Sequence, residues 1–270
     1  MDVNKDYASS FLQENVSDSN KSKKSTIFVL PCTNINSSSS SNSSSSNSIA
    51  IGNGIVYKND NIISIEGGKL EYSLTSSSCR YSINNNKKYY TPKVGDQVIG
   101  IIDDKGTDYY KVNIFSGINS IALLGRLAFE GATKRNKPEL KKGDIVYARI
   151  TMANKDIDTE LTCLSNTGSK KEWTTNETIY GELCNGLLLH LPNISKVNSL
   201  LLPDCIVLNA LGKHFSYEVA IGMNGLIWIR SPDNMITIII RNAILNCQYI
   251  NENEIEAMVD ELAKLYSKKG

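Results

Sequence analysis

The sequence predicts a multi-domain protein that is mainly β in its first two thirds and α+β in its last third. Two observations support this fold class. From residue 25 to about 166, short apolar runs alternate with Asn, Asp, Gly and Ser, which is typical of all-β structure. Beyond Gly168, apolar residues recur at helical spacing as well as in alternation. A chain of 270 residues is long enough for two or three domains with cores of their own.

The first domain is predicted to be a small N-terminal β domain over residues 25–88. Residues 1–24 are polar and lack periodicity, so we interpret them as a disordered tail. Strand-like runs such as "TIFVL" and "KLEYSLT" follow. Between them, the Ser/Asn-rich insertion at 34–48 has no side chains that could form a core, which indicates a flexible insertion or a linker.

The second domain, residues 89–166, contains five alternating runs, and these predict an OB-type barrel. Gly-Asp pairs precede the first and fourth runs, where a turn would open a strand. Five short strands with a longer connection after the third fit this fold, which often binds oligonucleotides. The connection "AFEGATKRNKPELKKGD" is the most basic stretch of the region. The five runs are "DQVIGIID", "DYYKVNIF", "SIALLG", "DIVYARITMA" and "TELTCLS".

The third domain, residues 167–270, is predicted to have the element order β-α-α-β-β-α followed by a last helix. That is the order of a KH domain, an RNA-binding fold. Its helices are expected to start at Asn193, at Pro203-Asp204, at Ser231-Pro232 and at Asn251, on the basis of capping residues and apolar spacing. The strands are expected at "GLLLHL", "FSYEVAIG" and "GLIWIRS".

The motif "GMNG", from Gly222 to Gly225, has two alternative interpretations. Two glycines with two residues between them resemble the G-x-x-G loop with which KH domains clamp an RNA backbone. That loop lies between the first two helices, which here is "LLLPDC", without glycine, lysine or arginine. The motif falls instead between two strands, and Asn224-Gly225 favours a hairpin turn because both residues tolerate positive φ. We therefore interpret the motif as a turn and the domain as a structural or docking module.

Trp228 follows this turn and is predicted to anchor an interface. In an extended strand it is in phase with Leu226 and opposite to Ile227 and Ile229. One face of the strand should pack on the helices, and the other should meet a neighbouring domain or subunit. An indole there would bury a large apolar area while its N–H finds a hydrogen-bond partner.

The candidate RNA-binding residues belong to the basic region of the predicted barrel. They are Arg126, Lys134, Arg135 and Lys137, and Lys141 and Lys142 belong to the same basic patch. These cations could contact phosphates without reading bases. They could also form a solvated loop, or the segment could dock a protein. One of Tyr109 and Tyr110 should face outward, either to stack a base or to pack on the next domain.

Composition and motifs argue against several other functions. A net charge of +1 gives no global basic field for nucleic acid. Six scattered cysteines and two isolated histidines indicate reduced thiols and no metal site. Asp103 and Asp104 are adjacent, so on a strand they would point to opposite faces, and "DDKG" fits a turn better than an active site. His190 has no nucleophile or acid near it in sequence. We expect an intracellular protein without a signal peptide, membrane span, enzymatic activity or cofactor.

Five segments together carry a resemblance to a known family. The stretches "YTPKVGDQVIG", "LAFEGATKRNKPELKKGD", "ANKDID", "LLLPDC" and "GMNGLIWI" are similar to those of ribosomal RNA-processing protein 40, or exosome component 3, a cap subunit family of the eukaryotic RNA exosome. The match runs from about Ile49 to the C-terminus. The chain departs from the family at its N-terminal strand, which ends in "VLPCTN" and enters the serine insertion.

The resemblance implies a function as well as a fold. It implies an N-terminal β domain, an S1-type OB domain and a C-terminal KH domain. It also implies a non-catalytic cap subunit that binds RNA, RNase PH-like ring subunits and other cap subunits, with no membrane and no small-molecule substrate. The expected location is nucleus and nucleolus, also cytoplasm. The alternative is a free-standing S1/KH RNA-binding protein in translation or transcript control.

Overall fold

The computed structural model describes residues 27–35, 48–52, 54–59, 61–74, 78–85, 87–117, 120–154, 156–165, 178–202, 205–250 and 252–267. The predicted tail of residues 1–24 and residues 36–47 of the predicted insertion lie outside these ranges. The chain divides into two compact units, within residues 1–86 and 87–270. No helix in the described ranges is both long and apolar enough to span a bilayer.

The first unit is a small β structure, in agreement with the sequence pattern. Its main sheet has the strand order β1-β5-β6-β2, in which β2 runs parallel to β6, and β3 and β4 form a separate hairpin. Buried aliphatic side chains, including Val29, Ile55, Ile62 and Leu70, form its core. The strands are β1 (Ile27–Val29), β2 (Ser48–Ile51), β3 (Ile55–Lys58), β4 (Asn61–Ser64), β5 (Gly68–Leu74) and β6 (Ser78–Asn84).

The second unit begins with the five-stranded barrel that the sequence predicts. Its strands are β7 (Gln97–Lys105), β8 (Tyr109–Asn113), β9 (Ile121–Phe129), β10 (Ile145–Met152) and β11 (Thr159–Cys163). Strands β7, β8 and β9 form an antiparallel meander, and β10 pairs with β7. Strand β11 pairs with both β9 and β10, which closes the barrel. A sixth strand, β12 (Gly181–Leu183), pairs with β10 and was not predicted.

The rest of the second unit has the predicted order of a KH domain. Its strands form one antiparallel sheet in the order β13-β15-β14. The elements are β13 (Leu187–His190), a 3-10 turn (Ile194–Lys196) that runs into α1 (Val197–Leu200), α2 (Ile206–His214), β14 (Glu218–Ile221), β15 (Leu226–Arg230), α3 (Asn234–Asn246) and α4 (Glu252–Ser267).

The helix starts agree with the predicted caps in part. Asn193 caps the 3-10 turn, where its Oδ1 accepts a hydrogen bond from Ser195 N at 3.1 Å. Helix α3 is capped by Asp233, whose Oδ1 accepts from Met235 N at 3.1 Å, so the helix starts after the predicted Ser231-Pro232. Asn251, Pro203 and Asp204 lie outside the described residues.

The sheet of the KH-type domain is covered on both faces. Ile227 and Ile229 pack with the helices, in a core that includes Leu211, Ile240 and Val259. The opposite face presents Leu226 and Trp228, which pack against Ile99 of the barrel. The alternation predicted for β15 is therefore confirmed, and the sheet lies between the helices and the barrel.

Candidate nucleic-acid interface

The "GMNG" segment forms the hairpin turn between β14 and β15. Gly222 N donates to Leu226 O at 2.8 Å, and Gly225 N donates to Gly222 O at 3.0 Å. Gly225 has a φ of 83°, a conformation that glycine adopts without a steric penalty. Asn224 is not among the residues with positive φ, so only one of the two residues uses the expected conformational freedom. The hairpin interpretation is confirmed. A tolerance of positive φ, however, does not explain why asparagine stands at position 224.

The side chain of Asn224 is inserted into the barrel. Its Nδ2 donates to Ile99 O at 2.7 Å and to Ile114 O at 2.8 Å. Its Oδ1 accepts from Ile99 N at 3.3 Å. The residue is fully buried. These three bonds attach the turn to the ends of two barrel strands, so the turn cannot approach a phosphate group while they persist.

The backbone of the turn makes a close approach to the barrel as well. Met223 N donates to Gln97 O at 2.7 Å. A Cβ atom at Gly222 would collide with Asn224 Oδ1 and would lie 2.8 Å from Ile99 N. Glycine at this position is therefore required by the contact with the barrel. Gly222 serves the docking of the KH-type domain on the barrel, whereas Gly225 serves the turn itself.

Trp228 anchors the same contact, as the alternation of β15 predicts. The indole is 5% exposed and packs with Ile99 and Leu226, beside Tyr147 and Leu183 of the barrel. The prediction that its N–H has a hydrogen-bond partner is wrong for the described residues, among which the buried Nε1 has none. The nitrogen lies against Gly186, where a Cβ atom would collide with it.

Polar contacts beside Trp228 were not predicted. Tyr147 donates from its hydroxyl to Gln97 Oε1 at 2.6 Å, and Gln97 Nε2 donates to the Tyr180 hydroxyl at 3.1 Å. Burial, followed by the influence of Tyr180, raises the pKa of Tyr147 to about 12. The hydroxyl therefore stays protonated and acts as a donor at neutral pH. No motif signalled these residues, because glutamine and tyrosine occur commonly on exposed strand faces.

The position of the usual KH clamp offers little to RNA. Between α1 and α2 the described residues are Leu201, Leu202 and Cys205. Leu201 is 41% exposed and Leu202 is 61% exposed, so this junction presents apolar surface to solvent. It provides neither the glycine nor the cation that a phosphate clamp needs.

The basic loop, residues 130–144, connects β9 to β10 and contains most of the predicted RNA-binding residues. Lys134 and Arg135 are exposed at its tip, and neither has an ion pair within the described ranges. Lys137 is half-buried. The outer candidates Lys141 and Lys142 are exposed, and Lys142 Nζ lies 3.5 Å from Asp103 Oδ1. The structure thus presents Lys134, Arg135 and Lys141 as exposed cations with no ion pair among the described residues.

Arg126 lies on β9 and is held by the protein. Its side chain is 14% exposed, and its Nη1 donates to Thr107 O at 3.1 Å. The guanidinium carbon lies 5.5 Å from the centre of the Tyr110 ring, which is a cation–π distance. Arg126 therefore presents little of its charge to solvent, whereas Lys134 and Arg135 are exposed.

The two tyrosines of β8 point in opposite directions, as predicted. Tyr109 is 53% exposed, whereas Tyr110 is fully buried. The Tyr110 hydroxyl donates to Pro138 O at 2.9 Å and accepts from Leu140 N at 3.3 Å. Alternation alone assigned one tyrosine to the interior, but it gave no sign that this hydroxyl would hold the basic loop.

The acidic pair does not form the predicted turn. Asp103 and Asp104 lie within β7, next to an irregularity in its pairing with β8. Asp104 Oδ2 lies 3.8 Å from Lys111 Nζ, and Asp103 pairs with Lys142. Both carboxylates thus neutralise neighbouring lysines. Over the described part of the chain, no three His, Cys, Asp or Glu side chains are grouped as metal ligands would be.

Two parts of the chain match known domain families. A KH-domain profile matches residues 186–235, and the profile "Exosome complex component RRP40, S1 domain" matches residues 90–173. The chain is thus a protein of the S1 and KH class, with an OB-type barrel docked on a KH-type sheet. It belongs to the family of the exosome complex component RRP40.

Individual relatives support this assignment. The chain is 40% identical to the rrp40 protein of Dictyostelium discoideum over 78% of this chain and 84% of that protein. It is 34% identical to the Schizosaccharomyces pombe exosome complex component rrp40, over 80% and 88% of the two chains. It is 31% identical to the Homo sapiens component, over 80% and 76%.

A solved structure supports the fold alone. It is a crystal structure titled as an exosome complex RNA-binding protein, with a TM-score of 0.52 and 21% identity. The alignment covers 66% of this chain and 99% of the other.

Proposed function

We propose that this chain is a non-catalytic, RNA-binding cap subunit of the RNA exosome. In this role it stabilises the ring of RNase PH-like subunits, contacts the other cap subunits, and guides RNA into the channel for 3′-to-5′ processing and degradation. Membership of the RRP40 family supports the assembly, since relatives of similar length carry the name of an exosome component.

The observation that carries the RNA-binding part is the basic loop on a barrel of OB type. Lys134 and Arg135 are exposed and have no ion pair in the described structure, so they meet phosphate without first breaking a salt bridge. The KH-type domain contributes rigidity, because Asn224 attaches its turn to the barrel. We assign the KH-type domain to docking and the barrel to RNA.

The proposal excludes an enzymatic role for the chain itself. Asp103 and Asp104 are paired with lysines, and burial raises the pKa of the Cys163 thiol, so it is no nucleophile at neutral pH. RNA degradation is therefore assigned to another subunit. The purified chain is expected to leave RNA intact with and without Mg²⁺. Degradation that disappears in Asp103→Asn or Asp104→Asn would contradict this.

The assembly is tested by native size and co-purification. A tagged chain expressed in its own cells should migrate in a complex of several subunits and bring ring subunits with it, in the nucleus and nucleolus as well as the cytoplasm. The alternative, a free-standing S1/KH protein of translation or transcript control, predicts migration as a monomer with RNA alone. Monomeric migration in a gentle lysate would therefore overturn the cap-subunit proposal.

The RNA contact is tested with the variant Lys134→Ala/Arg135→Ala. Phosphate contacts by a few cations give dissociation constants of about 10⁻⁴ to 10⁻⁶ M at physiological salt. Loss of two contacts to single strands should make the slope of log affinity against log salt shallower by about 1.4, for all RNA sequences alike. Lys213→Ala/Lys264→Ala, which removes the same charge from helices α2 and α4, is the control. An unchanged slope, or a sequence-dependent loss, would count against the basic loop.

A further inference from the structure

The basic loop is anchored at its start. After β9, Ala132 N donates to Phe129 O at 3.1 Å. Thr133 N donates to Asn136 O at 2.7 Å, and Asn136 N donates to Thr133 Oγ1 at 3.1 Å. Lys134 and Arg135 therefore lie between the two hydrogen-bonded residues of a compact turn. The direction in which they project depends on how the rest of the loop is fixed to the barrel.

The end of the loop is anchored by Tyr110. Its hydroxyl donates to Pro138 O at 2.9 Å and accepts from Leu140 N at 3.3 Å. Tyr110 and Leu140 are both fully buried. A buried carbonyl and a buried N–H of an irregular segment are thus both satisfied by one side chain, and each would be costly to leave unpaired.

The ring of Tyr110 is itself held in place. Arg126 lies over its face at 5.5 Å and donates to Thr107 O, and Nη2 of Arg126 lies 3.9 Å from Glu139 Oε1. Glu139 belongs to the segment that Tyr110 holds, and Lys105 Nζ lies 3.9 Å from the same Oε1. A tyrosine, an arginine and a glutamate therefore form one connection between strands β8 and β9 and the end of the basic loop.

We propose that the Tyr110 hydroxyl is a positioning group that sets the basic loop for phosphate contact, with Arg126 serving mainly to hold the tyrosine. The inference rests on the proposed RNA-binding function and names a residue that touches no RNA. Its physical advantage is preorganisation. A loop ordered during folding does not lose that conformational freedom on binding, so its cations bind more tightly than the same charges on a loose segment.

The test uses the full chain with Tyr110→Phe, which removes one oxygen from the barrel interior. Tyr109→Phe is the matched control, since it removes a hydroxyl from the exposed neighbouring ring. If a third of the variant molecules keep the loop anchored, affinity for a single-stranded RNA falls about threefold, whatever its sequence. Exchange of the Leu140 amide proton should accelerate on the order of tenfold in Tyr110→Phe, because its acceptor is lost, and not in Tyr109→Phe.

A double-mutant cycle separates positioning from a general structural effect. Tyr110→Phe is combined with Lys134→Ala/Arg135→Ala, and RNA affinity is measured for all four proteins. If Tyr110 acts through the loop, its substitution changes nothing further once the tip cations are gone. A full threefold loss in the combined variant would overturn the proposal, because the effect would then not pass through those cations.

The remaining outcomes are equally decisive. Tyr110→Phe could speed exchange at Leu140 and leave RNA affinity unchanged, while Lys134→Ala/Arg135→Ala loses affinity. That result overturns the positioning role of Tyr110 and leaves the proposed function standing. No loss in Lys134→Ala/Arg135→Ala overturns the RNA role of the loop, and with it the positioning role. If Tyr110→Phe does not fold, the rate of amide hydrogen exchange at Leu140 in the unaltered protein tests the anchor instead. Leu140 exchanging as fast as exposed Lys134 would overturn the anchor, and strong protection would support it.

Discussion

At the scale of single residues, the Asn224 carboxamide joins two domains. Both of its N–H groups and its oxygen are engaged with the backbone of Ile99 and Ile114, in a site that excludes solvent. Since peptide groups at the ends of barrel strands lack ladder partners, a buried side chain that satisfies them stabilises both the strand ends and the contact. No other residue of similar size offers two donors and an acceptor in this arrangement.

Asn224→Ala is therefore expected to lower the free energy of unfolding by about 2–4 kcal/mol, since it leaves buried backbone groups without partners. Asn224→Asp keeps the shape but turns an oxygen toward two carbonyl oxygens, and it should be at least as destabilising. Denaturant unfolding of the full chain measures both. Asn198→Ala, an exposed asparagine on α1, is the control. An aspartate variant as stable as that control would show that the hydrogen bonds contribute little.

Gly225→Ala is expected to destabilise the protein by about 1 kcal/mol or more, because φ is 83° and a side chain there is strained. The new Cβ would also lie 3.0 Å from Ile194 Cγ1. Gly212→Ala is a matched control, which is expected to change the stability in the opposite direction. Gly212 lies in α2 with open space around its Cα, so alanine should stabilise the helix. Thermal unfolding of both variants distinguishes backbone strain from a general effect of adding a methyl group.

At the scale of elements, strand β15 has two apolar faces with different tasks. Ile227 and Ile229 belong to the core shared with the helices, and Leu226 and Trp228 belong to the contact with the barrel. A strand buried on both faces cannot shift its register by one residue without exchanging the two sets. The hairpin turn at Gly225 and the Asn224 anchor therefore fix the register on which both packing layers depend.

Trp228→Arg is expected to destabilise the protein by about 3 kcal/mol or more, since it removes a buried indole and places an unpaired charge against Ile99. It should also reduce co-purification of exosome subunits, whereas Gly225→Ala should mainly lower stability. Arg230→Ala, at the exposed end of the same strand, is the control. If Trp228→Arg and Gly225→Ala both melt like the unaltered protein but lose RNA binding, the turn is a clamp after all and the docking interpretation is wrong.

At the scale of the whole molecule, several tyrosines of the second unit are buried or half-buried at packing contacts. Burial is the main cause that raises the pKa of Tyr147 and that of Tyr217 to about 12. Burial, with a hydrogen bond to Asp96, also raises the pKa of Tyr90. In the unfolded chain these phenols ionise near pH 10. Between pH 10 and about 12 the unfolded state therefore binds fewer protons than the folded state.

It follows that stability should be independent of these tyrosines below pH 10 and should fall as pH rises toward 12. Tyr147→Phe removes one such group and should make the decline shallower, whatever its effect on stability at pH 8. Denaturant midpoints at pH 8, 10 and 11 give the comparison. Tyr249→Phe, with a ring that is 81% exposed, is the control. An identical slope in Tyr147→Phe and the unaltered protein would contradict the assignment.

Local patterns in the sequence were enough to predict the elements and the faces they bury. Alternation over residues 89–166 predicted the five barrel strands, and the order of strands and helices predicted the KH-type domain. The position of "GMNG" between two strands predicted a turn, and the phase of Trp228 predicted the face it occupies. These features depend on local periodicity and on backbone preferences, which are written in neighbouring residues.

The contacts between individual atoms, by contrast, depend on how distant segments pack in the folded chain. Asn224 bonds to residues 110 and 125 positions away, and the Tyr110 hydroxyl bonds to residues 28 and 30 positions away. Strand β12 was missed because its three residues pair with β10 and carry no periodic signal of their own. Arg126 resembled an exposed cation because sequence does not show that a tyrosine ring lies beneath it. Side-chain hydrogen bonds between distant segments depend on how elements pack, and no local pattern encodes that packing.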